Sequence, residues 1–253
     1  MSSCRVKGIT CGAGGHPPPS LAARTSGSSR VNQVRKQIMA PRKAERTPPT
    51  VCIVESLEFL QEDSLKEGEI ISRTLRLSDK PAHYTYLRSS DEMKAFAKEF
   101  GRSKHRYLHV SCHGNASAFF TTTGRMSAVD FAEMLAPYVD NRRVFLSACQ
   151  AAQSEFAKSL LSNSECWSVL APVNNIYFDD AAIFWSAFYH IMFKDNPDTM
   201  NRSGIERTVK KCADLINAEF SCFSARMARS NRRRSARRRN AEADGTKVFG
   251  APE

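Results

Sequence analysis

Arg106-Tyr-Leu-His-Val-Ser-Cys-His-Gly114 and Arg143-Val-Phe-Leu-Ser-Ala-Cys-Gln150 decide how this chain folds. Each is a short apolar run of the kind that makes a fully buried strand, bounded by a basic residue before it and by His-Gly or Cys after it. Fully buried strands belong to parallel sheets covered on both faces. In open α/β sheets, ligands and chemistry gather beyond the carboxyl ends of the strands. If the two runs are neighbouring parallel strands, His113 and Cys149 meet at one end of the sheet, an imidazole beside a thiol.

Outward from these two runs the pattern alternates strand and helix. Val51–Val54 reads as a first buried strand. A helix is expected over 64–76, with Leu65, Ile70, Ile71 and Leu75 on its inner face, followed by a strand over 83–87. Ser90 is expected to cap a helix that carries Met93, Phe96, Ala97 and Phe100 inward and stops at Gly101. Between the two deciding runs, 117–126 reads as a small hairpin turning near Gly124. Ser127-Ala-Val-Asp130 then opens a helix with Phe131, Met134, Leu135 and Tyr138 inward. After Cys149 come a helix over 153–161, a strand over 166–173 and an apolar-rich helix over 180–193. Ser203-Gly-Ile-Glu206 reads as a capping box for a last helix that carries Ile205, Val209, Cys212, Ile216 and Phe220 on one face. Strands separated by helices predict an α/β fold, a three-layer sandwich around a mostly parallel sheet of about six strands.

The order of the two reactive residues matters too. Papain-type enzymes place Cys before His, whereas caspases place His upstream of a Q-A-C-x-G signature; here His113 precedes Ser147-Ala-Cys-Gln-Ala151. Leu108-His-Val-Ser-Cys-His-Gly114 and Val144-Phe-Leu-Ser-Ala-Cys149, together with Trp167–Val173 and Asp179-Asp-Ala-Ala-Ile-Phe-Trp-Ser-Ala-Phe-Tyr189, resemble the caspase-like (clan CD) cysteine peptidases, and most of all their CHAT branch. The resemblance covers roughly residues 50–193. It implies a caspase-like sandwich and a cysteine endopeptidase acting through an acyl-enzyme, with Cys149 as nucleophile and His113 as general base and then acid. It also implies an oxyanion hole from the N–H groups of Gly114 and Cys149, and service as an effector of a bacterial stress or defence system. No metal or organic cofactor is required by that chemistry. The chain departs from the family at one point: Gln150-Ala-Ala152 follows the cysteine where Gly is common, which bears on the shape of the oxyanion loop.

Each residue also has a plainer reading. A free thiol titrates near ~8.5 and reacts as thiolate; a nearby imidazole and the positive end of the helix over 153–161 would both favour that form. Free Cys is also among the most buried of residue types, so a packing role for Cys149 stands beside the catalytic one. Gly114 could be an ordinary turn glycine. Strand alternation sends Cys112 to the face opposite His113, so packing is its expected role, and His109 faces the sheet's packing layers. Asp179 and Asp180 are candidates for a substrate-binding role toward a basic P1 residue; alternatively, Asp179 caps the helix that follows. Trp185 and Phe188 are expected in the core, with lining of the cleft as the alternative.

Composition divides the chain of 253 residues, net charge +11, unevenly. Residues 1–48 hold nine Lys/Arg and one acid, and residues 221–253 hold nine and three, so the span between them is net acidic. Residues 1–48 are expected as a disordered basic segment, 49–220 as the peptidase domain and 221–253 as a disordered Arg-rich tail. Met39 is an alternative start, and an organellar presequence a further reading of the amino terminus. Cys4, Cys11 and His16 read as tail residues rather than a metal cluster. The eight cysteines follow no disulfide or zinc spacing, which points to a reducing, cytoplasmic compartment. No apolar run is long enough for a membrane span. A protein substrate is the expected partner, with an activating protein beside it. Nucleic acid is a weak candidate through Asn231–Arg239, which lacks interleaved aromatics for stacking. Two other classes of function remain open: a silent caspase-like module that binds a partner, and a nucleotide-binding α/β protein, the latter disfavoured because no glycine-rich phosphate loop follows the first strand.

Overall fold

The computed structural model describes residues 50–80 and 82–225. The chain divides into Met1–Arg46 and Thr47–Glu253. The first unit lies wholly outside the described residues, and with it the expectations for the basic amino-terminal segment, Cys4, Cys11, His16 and Met39. The Arg-rich stretch from 226 onward lies outside them as well.

Six strands form one sheet: β1 (Val51–Ser56), β2 (His83–Tyr86), β3 (Tyr107–Cys112), β6 (Arg143–Ser147), β7 (Ser168–Pro172) and β8 (Phe220–Ser224). Their spatial order is β2-β1-β3-β6-β7-β8, parallel throughout except for β8, which runs antiparallel to β7. A separate hairpin, β4 (Ala118–Thr121) and β5 (Gly124–Ser127), turns through Thr122-Thr123. The helices are α1 (Glu67–Leu77), α2 (Ser90–Arg102), α3 (Ala128–Leu135), α4 (Phe156–Asn163), α5 (Phe178–Asp195) and α6 (Arg202–Ile216). The expected mostly parallel six-stranded α/β sandwich is what the chain forms.

Strand alternation sorts the core into two layers. Cys52, Val54, Leu108, Val110, Val144 and Leu146 face α2, α3 and α4. Val51, Ile53, Tyr107, Phe145 and Leu170 face α1, α5 and α6. Trp185 and Phe188 of α5 are fully buried in this second layer, which settles them as core rather than cleft. The order in which strands are added reverses at β1: β2 lies on one side of it and β3 on the other.

Several local expectations are corrected. The first helix starts at Glu67 rather than 64; Phe59–Gln61 is a 3-10 turn, and Ile70 is 51% exposed rather than inward. The inner face is Glu67, Gly68, Ile71, Ser72 and Leu75. Ser89, not Ser90, caps α2, in a full capping box with Glu92. Gly101 does not stop that helix but lies within it, because a Cβ there would come 2.8 Å from the Tyr138 ring. The helix after Cys149 starts at Phe156, with a 3-10 turn at Ala151–Gln153 in between, so its positive end stands off from the thiol. Asn201 rather than Ser203 caps α6, accepting from the Gly204 N–H, while Glu206 pairs with Arg202. Phe220 is not on that helix. Asn217 turns left-handed (φ 49°) and ends it, and Phe220 begins β8, which crosses the expected domain boundary at 220.

Candidate active site

The carboxyl ends of β3 and β6 meet around a cavity of about 370 Å³ lined by Glu67, His113, Gly114, Ser147 and Cys149, among others. β3 ends at Cys112 and delivers His113; β6 ends at Ser147 and delivers Cys149 two residues on. Register pairs Ser111 with Ser147, so the two deliveries are level. His113 and Cys149 are both half-buried and share this cavity.

The two are not directly hydrogen-bonded to one another. His113 Nε2 lies 2.5 Å from the Gln61 side-chain oxygen, and its ring edge-stacks on Phe178 at 5.3 Å. A carboxamide oxygen only accepts, so the proton of this tautomer sits on Nε2 and Nδ1 keeps a free lone pair. The Cys149 Sγ sits 3.5 Å from both the N and the O of Ile176. Gln61, in the turn after β1, is a site residue that sequence reading missed.

Gly114 is needed for closeness rather than for an unusual dihedral, since its φ is not positive. A Cβ there would meet the Ala148 Cβ at 3.0 Å and the Cys149 O at 3.3 Å. Gly114 bridges Phe119, flanked by bonds from Phe120 N to His113 O and from Asn115 N to Ala118 O. In that pattern the Gly114 N–H points away from the hairpin. Among the described residues, neither this N–H nor that of Cys149 is used by a protein acceptor.

Gln150 fills the position after the cysteine and adopts the left-handed conformation that glycine favours, φ 56° and ψ 16°. Three bonds hold its N–H and side chain. Its N–H donates to Asn174 O at 3.1 Å, its Oε1 accepts from Ala116 N at 3.2 Å, and its Nε2 donates to Asn175 Oδ1 at 3.1 Å. The side chain therefore ties the loop after His113 to the loop after β7, across the mouth of the cavity.

Below the cavity lies a buried polar row. Register sets Glu55 beside Ser111 and Ser111 beside Ser147, and Glu67 of α1 covers them. Glu67 Oε2 accepts from Ser147 Oγ at 2.9 Å and from Ser111 Oγ at 3.3 Å. Glu55 accepts from Gly68 N at 2.8 Å and Tyr84 OH at 2.8 Å. Burial pushes the Glu55 carboxyl up to about 7, against the bonds from Gly68, Tyr84 and Ser111, and the neighbouring Glu67 adds to the rise. His109, fully buried, bonds Tyr189 OH through Nδ1 at 3.0 Å, in keeping with its expected packing role.

Cys112 packs into the opposite layer and also borders the cavity; burial pushes its thiol up to about 12, in keeping with its expected packing role. Asp179 and Asp180 sit in the first turn of α5, where acids suit the helix dipole. Tyr177 is the N-cap and no side chain caps the helix, so Asp179 is not the cap. Neither acid lines the cavity between His113 and Cys149; Asp180 lines an adjoining cleft of about 460 Å³ with Asp214 and Glu219.

No family model and no curated protein matches this chain. The chain is similar in part to solved structures. One is the crystal structure of the Arg-specific cysteine proteinase gingipain R, 14% identical over 69% of this chain and 45% of that one, with a TM-score of 0.47. The chain thus spans less than half the length of that proteinase, and at that score the likeness carries no argument about this site. Among the described residues, no helix is long and apolar enough to cross a membrane and no cluster of His, Cys, Asp or Glu could hold a metal ion. The six described cysteines are free thiols.

Proposed function

We propose that the protein is a cysteine endopeptidase working from the cavity at the ends of β3 and β6. The observation that carries this reading is the delivery of His113 and Cys149, level with one another, into one cavity at the carboxyl ends of adjacent strands. The motif resemblance to caspase-like peptidases, including the His-before-Cys order, supports it. A peptide carbonyl enters between imidazole and thiol. His113 takes the Cys149 proton through Nδ1, Sγ attacks the carbonyl carbon, and the oxyanion is met by the unused N–H groups of Gly114 and Cys149. His113 returns the proton to the leaving amine, and water then hydrolyses the thioester. The two side chains bond elsewhere rather than to one another, which is consistent with a dyad that closes around substrate.

The test is cleavage of a mixed fluorogenic peptide library by the wild type and by Cys149→Ala and His113→Ala. The expected outcome is turnover by the wild type and loss of at least ~1,000-fold in both variants. Turnover that survives Cys149→Ala removes the peptidase assignment from this site. Unchanged binding partners with no turnover in any form would favour the silent-module reading instead.

A further inference from the structure

Phe59 and Leu60 stand in water, 71% and 91% exposed, as neighbours on the 3-10 turn that ends in Gln61. Among the described residues, no other two consecutive large apolar side chains are both exposed. A single exposed apolar residue is ordinary, whereas a pair on one tip marks a contact surface. The tip is firmly held. Leu57, just before it, is buried; its carbonyl accepts from Thr122 Oγ1 at 2.7 Å and its N–H donates to Tyr86 OH at 3.1 Å. Beyond the pair, the Gln61 N–H donates to Glu58 O, and the Gln61 carbonyl accepts from the N–H groups of Ser64 and Leu65. A turn pinned at both ends presents the two side chains in place, so little ordering cost remains when something packs on them.

We infer that Phe59 and Leu60 form an apolar subsite for the residue immediately after the scissile bond, and that the protein favours a large apolar side chain there. The inference rests on the peptidase reading and adds to it the substrate class on the leaving-group side. The position of the turn carries it. Gln61 holds His113 at Nε2, which leaves Nδ1 for the thiol, so the turn lies on the side of the imidazole away from Cys149. The thiol side is bordered instead by the loop that carries Ile176. In the proposed reaction the acyl part stays on Sγ, while the departing amine takes its proton from His113. The residue that owns this amine therefore lies at the imidazole, and its side chain meets the tip next to it. A leucine or phenylalanine laid there removes apolar surface of both partners from water. Alanine removes far less. Exposed Glu58 and Asp63 flank the pair, so an acidic side chain in the same place is repelled.

The experiment separates binding from turnover. Leucine amide and phenylalanine amide carry a free amine and an apolar side chain as the leaving fragment does; alanine amide carries the same amine with the side chain cut back. Each is titrated into Cys149→Ala, followed by NMR. The two larger amides should bind roughly 10-fold tighter than alanine amide. The double change Phe59→Ser, Leu60→Ser in the same background should bring all three together, and Leu60→Met should keep the preference. Leu77→Ser, which alters a residue also 91% exposed but at the far end of α1, should leave it intact. In the active enzyme, cuts in a peptide library mapped by mass spectrometry should be followed by Leu or Phe several-fold above their frequency in the library, and the double variant should lose that enrichment. Equal binding of the three amides, or a preference that survives the double change, overturns the inference. A preference in binding without turnover of any peptide would retain the subsite and reject the peptidase reading; turnover with no preference at this position would do the reverse.

Discussion

Gln61 is the residue on which the geometry of the imidazole turns. Its carboxamide oxygen accepts from the ring at Nε2, so on the proposed peptidase reading it is a positioning residue. Gln61→Ala should lower kcat roughly 3- to 10-fold, the worth of one neutral hydrogen bond, and leave KM unchanged. Gln61→Glu, which accepts the same bond, should restore most of the rate; a rise in KM instead would mean that Gln61 contacts substrate. At this scale the sequence was half legible. His113, Gly114 and Cys149 carry a paired signal, each at the end of an apolar run. Glu67 had a signal that went unused: with Ile71 and Leu75 it falls at i, i+4 and i+8, a carboxylate inside an apolar stripe. Gln61 had none, because a glutamine in a turn is ordinary and only tertiary folding brings it to the histidine.

Among the elements, the end of α2 shows how an irregular junction is held. Arg142 sends its guanidinium to the carbonyls of Phe100, Gly101, Ser103 and His105 at 2.6 to 3.0 Å and stacks over the Phe100 ring at 4.4 Å. Together with Ser103, whose N–H and hydroxyl also reach the Phe100 carbonyl, it satisfies the carbonyls at the end of the helix. Arg142→Ala should cost about 3 kcal/mol in urea unfolding, and Arg142→Lys nearly as much, since an ammonium cannot span four acceptors. Peptidase rate per folded molecule should stay the same. The strands and most helices were legible because burial on both faces leaves unbroken apolar runs. Their ends were less so: Ser89 and Asn201 compete with neighbouring serines as caps, and sequence alone does not rank them. The strand β8 was missed because Phe220 continues the four-residue spacing from Ile216, while the left-handed turn at Asn217 that breaks it has no apolar signature.

For the whole molecule, the buried Glu55 sets a pH dependence of stability. Glu55 titrates at about 7 when folded against a usual value of 4.5. Below about 4.5 both folded and unfolded chains hold this proton. As pH rises toward 7 the unfolded chain gives it up while the folded one keeps it, so stability from this group is lost across that window. The loss is on the order of 3 kcal/mol when complete. Urea midpoints measured from pH 4.5 to 8 should therefore fall, and Glu55→Gln should flatten the decline. A midpoint that rises over the same range in both proteins would mean that Glu55 is solvated.

The left-handed residue beside Cys149 has a consequence for laboratory evolution. Glycine at that position relieves about 1 kcal/mol of backbone strain. It also cuts the tie between the loops carrying Ala116 and Asn175. A library ranked by heat tolerance would then enrich Gln150→Gly, while one ranked by turnover would purge it, and the two selections would diverge first at this codon.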